Sequence, residues 1–151
     1  MSNREIARKI NTAWAINTKK DFCKVGKDII PFDIICDLSK AISYSPNVNA
    51  NSTNTLTVTH RIQGVVGNAG QGIESGVSQL EGEVILTNGS STVIINGKSS
   101  VRDGDACLMN CSAAGKSNVP GKIYTSRVEA VMARMRESVK DIPLPNAEAS
   151  W

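Results

Sequence analysis

The stretch SSTVIINGKSSVRDGDACLMNC, residues 90–111, reads as a β-branched strand, an Asn-Gly turn, a second short strand, a Gly-Asp turn and then two cysteines. Asn-Gly between extended runs is a strong short-range hairpin signal, because both turn positions need positive φ. Cys107 and Cys111 follow the last turn with three residues between them. That spacing lets two sulfurs reach one tetrahedral ion from a short loop, at roughly 2.3 Å each for zinc. The stretch therefore predicts thin strands folded back to a loop apex and pinned there by metal.

Working outward, 151 residues fit one domain with a moderate core. Aromatic residues make up only 4% of the chain, so the core must be assembled from Val, Ile and Leu, which suits many short strands. A mainly β fold is expected. The net charge of +3 comes from interspersed lysines, arginines and acids, with no dense basic run and few aromatics to stack on bases. Nucleic acid is not an expected partner.

The opening residues, MSNREIARKINTAWAINTKK, hold no apolar stretch long enough for a signal-peptide core, and no other segment approaches a membrane span. The expectation is a chain made and kept in the cytoplasm, whose four cysteines stay reduced and serve as metal ligands or buried small hydrophobes.

The chain divides into a head (1–20), a β body (21–124) and a tail (125–151). Ile6, Ile10 and Trp14 fall at i, i+4 and i+8 and predict a short N-terminal helix. From Phe22 to Cys36, Ile29-Ile30 and Ile34-Ile35 are apolar runs broken by Gly26 and Pro31, so short extended pieces joined by bends are expected. Asp37 then caps a brief helical turn, DLSKAI, ahead of Ser45-Pro46.

A faint repeat runs through the body. SPNVNANS (45–52) lies over SSTVIING (90–97), matching at the leading Ser, the Val and the Asn entering the turn, with a weaker echo at Ser117-Asn118-Val119. The first copy leads through LTVTH to His60, the second to Cys107. Between the copies glycine recurs at 64, 67, 70, 72, 76 and 82, which reads as tight turns and crowded thin strands. The Gln71–Ser75 stretch has neither the preceding parallel strand nor the lysine of a phosphate-binding loop.

The tail carries the most regular helical signal. Ser126 and Glu129 form a capping box, and Val128, Val131, Met132, Met135 and Val139 make an apolar stripe opposite Arg127, Arg134, Arg136 and Lys140. Pro143 and Pro145 close the helix. The stripe either packs on the body or grips a partner.

Taken in order, FCKVGKDIIPF, SPNV, GNAGQGIESGV and TVIINGKSSVRDGDACLMN resemble the PAAR-like proteins, in a subgroup with a Gly-rich insertion; the match runs over about Phe22 to Tyr124. Lys98-Ser99-Ser100-Val101-Arg102 stands where the family has its Pro-Ala-Ala-Arg run. The resemblance implies a small cone- or prism-shaped β domain that caps a trimeric VgrG-type spike of type VI secretion or a related contractile injection machine. One tip would sit on each trimer, pierce the target membrane on contraction and help load effectors, leaving the cell on the spike. It also implies a structural zinc near the apex, with iron as an alternative in so thiol-rich a site. Cys107 and Cys111 match the last ligand pair by position; His60, after the first repeat copy, is the expected third ligand and Cys23 the fourth, with Cys36 its competitor.

On this reading the chain needs no general base or nucleophile and is not expected to be an enzyme. Two rivals stand beside it. One is an adaptor that binds a partner or effector through the C-terminal helix. The other is a zinc hydrolase using Cys107, Cys111 and His60 with Glu74 or Asp105 as base, although the helical His-Glu pairing common in such enzymes is missing from the sequence.

Overall fold

The computed structural model describes residues 4–78, 81–117 and 119–139, side chains included up to residue 135. It is mainly β. The strands, in chain order, are β1 (Trp14–Asn17), β2 (Asp21–Val25), β3 (Asp28–Phe32), β4 (Ile35–Asp37), β5 (Asn49–Ala50), β6 (Thr53–Asn54), β7 (Arg61–Gln63), β8 (Gln71–Gly72), β9 (Glu83–Leu86), β10 (Ile94–Ile95), β11 (Lys98–Ser99), β12 (Ala106–Cys111) and β13 (Val119–Tyr124). One helix, α1 (Arg127–Val139), follows.

Six strands form the main sheet in the order β4-β1-β13-β12-β9-β7. Its two end strands come back together. Ile35 N–H donates to the Val66 carbonyl at 3.0 Å and Val66 N–H returns the bond at 2.9 Å, while Ala41 bridges Ile62. The sheet is thus a nearly closed barrel, which removes the open edges a small sheet would otherwise expose. Inward-facing Val84 and Leu86 of β9, Met109 of β12 and Val119 and Ile123 of β13 alternate with more accessible neighbours, as a pleated strand requires. With Leu56, Ile62, Val65 and Val101 they fill the aliphatic interior that the composition predicts.

The helix expected within the head does not form. Ile6 and Arg8 bridge Arg102 and Thr55, and Trp14–Asn17 is strand β1, paired on one side with β13 and on the other with β4. The buried residues here include Ala7, Ala13 and Ala15, small side chains that let the extended backbone lie against the barrel, together with Ile16 and Asn17. Ladder pairing on both sides outweighs a three-residue stripe in a segment too short to nucleate a stable helix.

Two hairpins occupy the repeat copies. β5–β6 turns through Asn51-Ser52 (φ 48 and 68) and β10–β11 through Asn96-Gly97 (φ 52 and 81), both left-handed turns matched to strand twist. Asn96 Nδ2 donates to Asn47 Oδ1 at 3.0 Å, so the copies touch. The Asp37 turn also forms, with Asp37 Oδ1 accepting from Ser39 N–H at 2.8 Å. A smaller sheet, β3-β2-β8, carries Pro31 within edge strand β3 rather than at a bend.

The helix α1 begins where the capping box places it, Ser126 Oγ accepting from Glu129 N–H at 3.4 Å. Its docked side is not the apolar stripe. Ala130 and Ala133 are buried against the barrel, whereas Val128, Val131, Met132 and Met135 are 51–68% exposed. Small residues let the helix axis approach the sheet, and Arg134 fixes it by bonding the Ile34 carbonyl, Asn17 Oδ1 at 3.0 Å and Asp33 at 3.3 Å. The side chains of Arg136 and Val139, and residues Lys140, Pro143 and Pro145, lie outside what is described.

Candidate functional site

Cys107 and Cys111 do not occupy a loop apex. Both belong to β12: Cys107 lies opposite Leu86 and Gly121, Cys111 opposite Glu83, and the turn itself is made by Asp103 and Gly104. Their side chains are 2% and 0% exposed. Burial pushes the Cys107 thiol far up, with Cys111 and Cys36 adding to the effect. Burial likewise raises Cys111 to about 11 and Cys36 to about 12. Cys23, on β2, is raised to about 11 by burial first and then by neighbouring Asp21.

His60 closes a turn with Thr57. Its Nδ1 accepts the Thr57 N–H at 2.9 Å, which leaves the ring proton on Nε2, and burial with the nearby Lys98 charge lowers its pKa. Among the described residues no group of three or more His, Cys, Asp or Glu side chains is placed to hold a metal ion. The expected set of Cys23, His60, Cys107 and Cys111 is therefore not gathered, and Cys36 does not complete it.

The two carboxylates considered as bases also have other positions. Glu74 is exposed in the turn after β8. Asp105 is a turn lock, pairing with Arg4 at 2.6 Å and Arg102 at 3.3 Å and accepting the Arg102 N–H at 2.8 Å.

A buried polar joint, not foreseen from the sequence, links the small sheet to the barrel. Asn110, at the bulge of β12 with φ 49, donates to Asp21 on β2 at 2.9 Å. The Cys23 thiol lies close to Asp21 and to the Asn68 amide. Burial raises the pKa of Asp21. Neither amide atom of Asn68 makes a hydrogen bond of ordinary geometry, nor does Asn110 Oδ1. The alternation Asp21-Phe22-Cys23-Lys24 was the available signal, since it puts Asp21 and Cys23 on one face of β2.

The opposite face of that sheet is apolar and open. Register places Phe22 beside Pro31, Lys24 beside both Ile29 and Gln71, and Ile73 N–H bonds the Phe22 carbonyl. Phe22, Ile29, Pro31 and Ile73 therefore share one outward surface, with Phe22, Ile29 and Ile73 42–60% exposed. A second apolar surface lies along α1. Between the helix and strands β1 and β4 runs a groove of about 320 Å³, walled by Trp14, Ile16, Ile35, Val131 and Met135.

No family model matches the chain, and no solved structure matches it. It is 37% identical over 105 residues to Cysteine protease effector 1 of Escherichia coli O1:K1:H7, a match covering 70% of this chain. The chain spans about a fifth (21%) of that relative's length. The expectation that the chain stands outside enzyme chemistry is corrected by this finding, because most of it matches a protein named for protease activity. No described helix is long and apolar enough to cross a membrane.

Proposed function

We propose that the chain is a PAAR-like head that seats on the end of a trimeric spike of VgrG type and carries effector-class protein with it. The observation that supports this most is the outward face of β3-β2-β8, where Phe22, Ile29, Pro31 and Ile73 remain in water on a small barrel. Apolar sheet surface of this kind is covered in a stable assembly. Contact through the face is favoured over strand addition at β3, because Pro31 removes one backbone donor from that edge. Similarity to a protein named an effector supports the delivery role.

The test is to mix the purified chain with its candidate spike and measure stoichiometry by light scattering. One copy per trimer, lost in a Phe22→Glu, Ile29→Glu double variant, is the expected result; three copies per trimer, or no complex, overturns the reading. A second reading, an adaptor that holds a partner through α1, is favoured by the exposure of Val128, Val131, Met132 and Met135. The two readings use different surfaces and are compatible.

A further inference from the structure

We infer that the groove between α1 and strands β1 and β4 receives an acidic amphipathic helix of a partner protein. The inference rests on the adaptor reading of α1 and is independent of the seat on a spike.

The backbone around the groove has nothing to offer a strand. β1 is paired on both sides, and the outer edge of β4 is closed at Ile35 by its reciprocal pair of backbone hydrogen bonds with Val66. An occupant must therefore be held by side chains. Val128, Val131, Met132 and Met135, at i, i+3, i+4 and i+7, form a helical ridge, and the hollow beside it is lined by Trp14, Ile16 and Ile35. A ridge with an adjacent furrow is the surface that a second helix packs against. Flexible Met132 and Met135 can adapt to its side chains.

Charge selects the partner. The ionic side chains lining the groove are Arg127 and Arg134, and no acid lines it. Arg134 is committed to Asp33, Asn17 and the Ile34 carbonyl, but its charge remains beside the hollow. Arg127 is exposed and makes no ion pair among the described residues. A helix with leucine-like anchors and Glu or Asp along its flanks meets both requirements, and a lysine-flanked helix of equal hydrophobicity is repelled.

The probes are two 18-residue synthetic helices with Leu at every third or fourth position, one flanked by Glu and one by Lys. Trp14 reports binding in a Trp151→Phe variant of the full chain, which leaves it the sole tryptophan. The Glu peptide is expected to shift Trp14 emission to shorter wavelength and to bind at least tenfold more tightly than the Lys peptide. Met135→Glu should abolish that binding, Arg127→Glu should remove the preference, and Val93→Ser, on the β10 hairpin, should change neither. Equal binding of both peptides overturns the inference while leaving the adaptor reading in place; no binding of either overturns both. Sedimentation showing a dimer lost in Met135→Glu, or binding to phosphatidylserine vesicles that displaces the Glu peptide, assigns the groove to a second copy or a lipid surface and also overturns it.

Discussion

Asn110 Nδ2 donates to Asp21 Oδ2 at 2.9 Å inside the protein, tying the bulge of β12 to the first residue of β2 across 89 positions of sequence. Removing the acceptor leaves a buried amide unsatisfied, so Asp21→Leu should lower stability by about 1–3 kcal/mol. Asp21→Asn keeps an acceptor and removes a charge that burial disfavours. Because burial raises the pKa of Asp21, its contribution is full below the ordinary value of 3.8 and is lost as pH rises through the folded pKa. At pH 7, urea unfolding should therefore find Asp21→Asn as stable as the native chain or more so, with its advantage shrinking toward pH 4. Equal losses in both variants would refute this account of the joint.

Gly121 marks the tightest crossing of the barrel wall. A Cβ there would lie 2.5 Å from Met109 Sδ and 2.9 Å from the Ile16 carbonyl oxygen. The sulfur can swing aside but the carbonyl belongs to β1, so Gly121→Ala must shift backbone. A loss of about 1–3 kcal/mol in chemical denaturation is expected. A companion Met109→Ala change should not restore it, since the clash with Ile16 remains.

His60 makes stability depend on mild acid. Its lowered folded pKa means that the unfolded chain takes up the proton first, so stability is complete above the ordinary value of 6.5 and declines as pH falls toward the folded pKa. Protonation would also set an N–H against the Thr57 N–H that Nδ1 accepts. Tm should fall between pH 7 and 5.5, and His60→Asn should flatten that slope. An unchanged slope in the variant would remove His60 from the explanation.

The thiols should be silent in the folded protein. With Cys23 and Cys111 raised to about 11 and Cys36 to about 12, almost none is thiolate at neutral pH, and all four cysteines are buried. A disulfide exchange reagent at pH 7.5 should therefore label the native chain slowly and all four positions promptly in guanidinium. Excess EDTA should leave Tm unchanged. Rapid labelling of one thiol, or a stability loss on chelation, would show a site that this geometry does not contain.

Much of the architecture was readable where chemistry is local. Asn96-Gly97, the Asp37 cap and the Ser126–Glu129 box each act within four residues, and each forms the expected turn or terminus. Aliphatic composition also pointed to strands. What failed depended on distant partners. Cys107 and Cys111 resemble a loop pair only until β9 and β13 arrive on either side and draw both into one continuous strand. The Ile6, Ile10 and Trp14 stripe looked helical because nothing in the sequence announces that β13 will claim the backbone of β1. The α1 stripe identified the apolar face correctly, but Ala130, Ala133 and Arg134 turned it outward.

The pairing of β1 with β13 has a temporal consequence. Trp14 lies opposite Tyr124, so β1 leaves a ribosome well before the strand that covers its second flank. Until then Ala15 and Ile16 sit on an incomplete rim, and the barrel is assembled through contacts between strands distant in sequence rather than neighbours. Maturation of this molecule is thus governed by synthesis reaching β13, and any truncation upstream of Val119 should yield a sticky, unfinished ring instead of a smaller version of the same body.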